Sequence, residues 1–192
     1  MTTLNVTNLK NPSSASNNIV LDAAGGAAFQ QIKGGALTLG TAVNSTSGTS
    51  IDFTGIPSWV KRVTVMFNGV STSGTSNYRI QLGTGGSPTT SGYTGSSSWT
   101  SASSVTSAIA SGFDINANAS ATTAFAGLIA FTNISGNIWV GSGSFAYTAG
   151  TASTQSVSGV VTLSSVLNML RITTVNGTDT FDAGSINIMY EG

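Results

Sequence analysis

The 192-residue chain contains no histidine and no cysteine. Without histidine it lacks the commonest general base and metal ligand, and no Ser–His triad can be assembled. Without cysteine it has no disulfide, no thiolate nucleophile and no thiolate metal site. Charge is nearly as scarce. Six Lys and Arg balance six Asp and Glu, so charged residues make up 6% of the chain, against roughly 25% in an average protein. With no basic excess, the electrostatic footprint of a nucleic-acid binder is missing, as is that of a polybasic membrane-surface segment. No apolar run approaches the length of a transmembrane helix. Met1-Thr2-Thr3-Leu4-Asn5 opens with neither the basic nor the apolar segment of a secretory signal.

Ser, Thr, Asn and 24 glycines take the place of charge, alongside a hydrophobic content of 40%. That much apolar material argues for a folded chain, and the length suffices for a core without covalent staples. Small polar residues suit exposed strand faces and tight turns. A surface with few charges is poorly defended against association unless an assembly covers it, which is a first sign of an oligomer.

Residues 1–45 read differently from the rest. Leu4 and Val6 alternate, Ile19-Val20-Leu21 is a brief apolar run, Phe29 and Ile32 lie between glycine pairs, and Leu37 and Leu39 alternate again. These fragments are too few and too short to close a core. The reading is an extended N-terminal arm whose apolar residues (Leu4, Val6, Ile19, Leu21, Phe29, Leu37, Leu39) use a partner's surface; a composition this polar also allows a disordered tail. A polar linker, Asn44 to Ser50, follows.

From 46 to 192 the period is two: Val63, Val65 and Phe67; Tyr78, Ile80 and Leu82; Phe125, Ile129 and Phe131; Leu170 and Ile172; Ile186, Ile188 and Tyr190. Asn68-Gly69 and Asn176-Gly177 supply turns. Many short strands with regular turns and no convincing helix predict an all-β fold, an antiparallel, jelly-roll-like β-sandwich. The Ser/Thr/Gly stretch from Gly83 to Ser104 reads as one long loop.

Carboxylates and lysines are the only plausible catalysts left. Asp179 and Asp182 are close in sequence, but the segment around them reads as a turn before the last strand, with Asp side chains on backbone N–H groups. It carries too few acids for a calcium loop. Gly83-Thr84-Gly85-Gly86 lacks the Gly-Lys-Ser/Thr of a phosphate loop. No catalytic, cofactor-binding or metal site is expected, and no cofactor. Trp59, Trp139, Phe67, Phe131 and Phe145 read as core. Tyr93 and Trp99 stand in the polar stretch, where exposed rings are candidates to stack on glycans; the alternative is that they fold back and pin the loop.

Three stretches resemble a known family. They are Gly48-Thr49-Ser50-Ile51-Asp52-Phe53-Thr54-Gly55-Ile56-Pro57-Ser58-Trp59-Val60-Lys61-Arg62-Val63-Thr64, the segment from Arg171 to Asn187, and the leader from Asn8 to Asp22. The first two resemble a β-sandwich module of tailed-phage virion proteins, common in cyanophages and other marine or freshwater phages, found at the tips of tail fibres and tailspikes and in capsid-surface proteins; the leader resembles the N-terminal arms of such phage proteins. The resemblance implies a homotrimer on the virion, on the outer surface of the capsid or on the tail. It implies contacts with further copies of itself and, through the arm, with the major capsid protein or another virion subunit. Host-surface glycans are a further candidate partner; nucleic acid and membrane are not expected. A short arm plus one sandwich, with no repeat to build a shaft, fits a capsid decoration (cement) protein. The alternative is a short tail-fibre or tailspike-tip-like receptor-binding protein.

Overall fold

Alternating β-branched or aromatic residues with small polar ones gives each segment an apolar face and a wettable one, which extended backbone satisfies by pairing. In the computed structural model these segments are strands. The structure describes residues 37–115 and 120–192, together with the backbone of three short strands nearer the N-terminus. The chain divides into two compact units, Met1–Ala36 and Leu37–Gly192.

In the first unit, β1 (Asn8–Leu9), β2 (Ile19–Leu21) and β3 (Ala27–Phe29) form an antiparallel sheet in that order. Ile19 stands opposite Leu9 on one side and Phe29 on the other, and Leu21 opposite Ala27. Leu4 and Val6 lie outside the described residues.

The second unit begins with β4 (Thr38–Leu39), β5 (Val43–Asn44), β6 (Ser50–Thr54), β7 (Arg62–Thr72), β8 (Tyr78–Thr84) and β9 (Ser87–Pro88). It continues with β10 (Thr94–Thr100), β11 (Ser104–Ile109), β12 (Phe113–Ile115) and β13 (Ala124–Ser135). It ends with β14 (Ile138–Ala149), β15 (Thr154–Thr162), β16 (Met169–Thr174) and β17 (Phe181–Glu191). Two antiparallel sheets pack face to face. The larger has nine strands, ordered β11-β10-β15-β14-β13-β7-β17-β4, with β5 also on β17; the smaller has five, ordered β12-β8-β16-β6, with β9 on β8. The fold is the antiparallel β-sandwich that the period-two pattern predicts.

The core lies between the sheets. Val63, Val65, Phe67, Phe125, Ile129, Phe131, Trp139 and Phe145 of the larger sheet are buried against Tyr78, Ile80, Leu82, Phe113, Ile115, Leu170 and Ile172 of the smaller. Rings meet edge-on across the gap: Tyr78 and Phe125 at 4.9 Å, Phe113 and Phe131 at 4.9 Å. Each such side chain contributes on the order of 1.5–3 kcal/mol on full burial. Glycine makes the room. A Cβ at Gly141 would meet the Phe131 ring at 2.6 Å and the Phe113 ring at 2.7 Å.

Several local expectations change. The stretch from Gly83 to Ser104 is not a loop: the chain turns at Gly85-Gly86, both at positive φ, into β9, and then forms β10 inside the larger sheet. Asn68-Gly69 is not a turn either. Gly69, at φ 62°, marks a bulge in the middle of β7, where three residues span two on both neighbouring strands. Trp59 is not core but 42% exposed. It sits on a tight turn closed by the Val60 N–H donating to the Pro57 carbonyl, with its ring tilted against Tyr190. Residues 37–45 join the sandwich by pairing β4 and β5 with β17, and Ser45 donates to the Ala183 carbonyl. Leu37 and Leu39 stay exposed, at 62% and 65%.

Since the aromatic interlock leaves no space at Gly141, Gly141→Ala is expected to destabilise the sandwich by about 1–3 kcal/mol through overpacking. Denaturant unfolding of the two proteins measures it.

Candidate functional site

The site grows out of the register of the larger sheet. Directly opposite residues on neighbouring strands share a face, so Phe67, Gly127, Phe145, Gln155, Trp99 and Val105 form one row on the inner side. Along that row Phe67 and Phe145 are core, Gln155 is buried, Trp99 is partly buried and Val105 is 48% exposed. The inner face thus passes from closed core to open surface. One step along the strands, Tyr147 packs its ring edge-on against Phe125 at 4.7 Å.

Trp99 and Tyr147 line a cleft of about 420 Å³, with Ser101, Ser120, Thr122 and Thr151 around them. Every side chain lining it is uncharged. The hydroxyls are held in place: Ser120 Oγ lies 3.0 Å from Thr122 Oγ1 and 3.1 Å from Thr123 Oγ1. A turn fixes them, in which the Thr123 N–H donates to the Ser120 carbonyl. Beneath, the Gln155 amide donates to Ser153 Oγ, which donates to the Thr100 carbonyl.

Buried polar atoms nearly always have partners. Among the described residues, four side-chain atoms do not: Ser97 Oγ, Trp99 Nε1, Tyr147 Oη and Gln155 Oε1. All four belong to the inner face of β10, β14 and β15 at this place. Burial raises the Tyr147 phenol pKa, and the neighbouring Trp99 N–H offsets part of that rise. The two atoms nonetheless do not close a hydrogen bond of normal geometry.

The two rings singled out in the sequence separate. Trp99 lines the cleft. Tyr93 does not, and its reading as an exposed glycan contact is corrected: it is 4% exposed, with its ring edge-on to Phe113. The Leu82 N–H donates to its hydroxyl at 2.9 Å, and the hydroxyl donates toward the Thr89 carbonyl at 3.1 Å. It pins the segment after β8, and burial puts its pKa well above the usual phenol value. Nothing in the sequence marks Tyr147 or the hydroxyls as part of a site. Tyr147 follows Phe145 in the alternation of β14, so it reads as one more core ring.

The described carboxylates are engaged elsewhere. Arg171 and Asp52 are directly opposite in register and joined by two hydrogen bonds of 2.8 and 2.6 Å, and Arg79 and Asp114 likewise by bonds of 2.6 and 2.9 Å. Glu191 faces Arg62 at 3.3 Å. Asp182 accepts from Ser71. Asp179 accepts from Asn176 Nδ2 at 2.7 Å and from the Ser76 N–H at 3.0 Å, which holds its carboxyl below the ordinary carboxylate range. These acids tie strands and turns together.

Comparison with protein-family models, curated proteins and solved structures finds no match to this chain.

Because the Tyr93 hydroxyl is the acceptor for a buried backbone N–H, Tyr93→Phe is expected to cost about 1–3 kcal/mol of stability. It leaves the cleft unchanged. Chemical unfolding checks the first effect, and a retained environment for Trp99 in two-dimensional NMR checks the second.

Proposed function

We propose that this chain is a non-enzymatic structural protein of a tailed-phage virion, a capsid decoration (cement) protein. Its N-terminal segment attaches to the major capsid protein, and the sandwich is displayed outward as a homotrimer. Beyond the sequence resemblance, the observation that carries the reading is the outer face of the nine-stranded sheet. One row there runs Leu39, Met189, Thr64, Ala130, Ser142, Ser158, Ser96, Ala108 from β4 to β11. The next runs Asn187, Met66, Leu128, Ser144, Ser156, Ser98, Thr106. Neither row holds a charge, and Leu128 at its middle is 50% exposed.

Such a face suits a copy of itself. Those rows have no like charges to repel, since Arg62 and Glu191 in the row beyond pair with each other; most of their side chains are small, and their apolar residues gain by leaving water. Eight strands about 4.8 Å apart span roughly 35 Å, enough to approach the roughly 800 Å² per partner of a standard interface. Closed symmetry is the usual outcome for identical subunits. The carboxylates support the non-enzymatic part of the reading, since those described hold strands and turns.

A second reading, a receptor-binding protein of short tail-fibre or tailspike-tip type that contacts host glycans, is favoured by the uncharged aromatic cleft at Trp99.

Mass measurement at micromolar concentration should give three copies, and Leu128→Lys should shift the mass toward one copy while the β-type circular dichroism persists. Removing residues 1–36 should leave the oligomer intact and abolish attachment to particles. A wild-type monomer, or full attachment by the truncated protein, contradicts the reading.

A further inference from the structure

We propose that the Trp99–Tyr147 cleft is a binding site for a neutral sugar residue of a glycan, and that it discriminates against acidic sugars. The inference deepens the second reading above and rests on its cleft, but not on where the protein sits in a virion. A volume of about 420 Å³ lies within the range of small-molecule sites, roughly 300–1,000 Å³. The composition of the wall then selects the ligand. An aromatic ring offers an apolar plane for the C–H face of a pyranose, and hydroxyls fixed by the turn at Ser120–Thr123 offer donors and acceptors around its rim.

Charge is excluded by what the wall lacks. Burying a carboxylate, sulfate or phosphate without a cation is strongly unfavourable. No cationic residue lines the cleft, and the described arginines Arg62, Arg79 and Arg171 are ion-paired with acids on neighbouring strands. A purely apolar ligand is disfavoured too, because it would leave the Trp99 N–H and the Tyr147 hydroxyl as they are, buried and unmatched. A polar group shut away from water without a partner carries a cost that a matching ligand group relieves. A small rotation of Trp99 that brings its N–H to a sugar oxygen recovers part of that cost. Trp99 is therefore the stacking residue, and Tyr147 forms part of the same wall.

The experiment uses the full chain. Ligand-observed NMR and calorimetry are run with a panel of neutral oligosaccharides (glucose-, galactose-, mannose- and N-acetylglucosamine-based) and with acidic ones (sialylated and uronate-containing). At least one neutral sugar should bind in the millimolar range or tighter, and the acidic counterparts should bind at least tenfold more weakly. Trp99→Ala should weaken binding at least tenfold. Thr122→Val, which leaves the aromatic wall intact, should weaken it severalfold, and Tyr147→Phe should do the same. Trp59→Ala, on the turn before β7, should bind as wild type. Absence of binding by every neutral sugar overturns the proposal. So does preference for acidic sugars, or unchanged binding in both Trp99→Ala and Thr122→Val. A trimeric, particle-attached protein that binds no sugar sinks this inference alone, whereas a sugar-binding monomer sinks the cement reading alone.

Discussion

The interlock of Phe113 and Phe131 over Gly141 sets how the two sheets meet. Rings from opposite sheets can lie 4.9 Å apart only because the strand beneath them carries no Cβ at that point. The same device recurs beside it, where a Cβ at Gly143 would meet Ile129 at 2.6 Å and one at Gly159 would meet Ile109 at 2.6 Å. Close approach of this kind gives a dense core from modest side chains. It also fixes the edge strand β12, which carries Phe113, so the smaller sheet ends there while the larger continues to β11. The cleft is a consequence. Core packing runs out along the row from Phe145 to Val105, and Trp99 is left partly buried, lining the cleft.

Scarcity of charge shapes the rest. The ion pairs among the described residues join residues directly opposite each other on adjacent strands, so they help set register; the exposed Arg62–Glu191 pair adds about 0–1 kcal/mol at most. With charge spent on register and turns, the two rows described on the outer face of the larger sheet hold mostly Ser, Thr and Ala, with Leu and Met among them. Two rows of one face are then without charge, which suits the proposed contact with other copies, and the cleft is lined by uncharged hydroxyls. The proposed assembly and the proposed neutral recognition both follow from this one composition.

Alternation in the sequence is legible wherever one face is apolar and the other polar, as at 63–67, 78–82, 125–131 and 186–190, and those segments are strands. It is illegible at 94–109, because β10 carries Gly95, Ser97 and Trp99 inward and Thr94, Ser96 and Ser98 outward, small and polar on both faces. Its place in the sheet comes from β15 and β11 on either side, a tertiary fact that no local window holds. The Asn68-Gly69 pair misleads for a related reason: a positive φ serves a bulge as well as a turn. Of the site, Trp99 is legible as an aromatic in a polar context. Its neighbour Tyr147 is not, because nothing in the spacing of β14 separates a ring at the end of the core from one inside it.

The proposal that identical copies meet through the outer face of the larger sheet is open to direct measurement, because the chain has no cysteine of its own. A single Ser144→Cys substitution, beside Leu128 on that face, places one spin label per copy. Double electron–electron resonance should then show a well-defined distance between copies, shorter than the roughly 35 Å span of eight paired strands. A featureless decay, that of isolated labels at the same protein concentration, would contradict it.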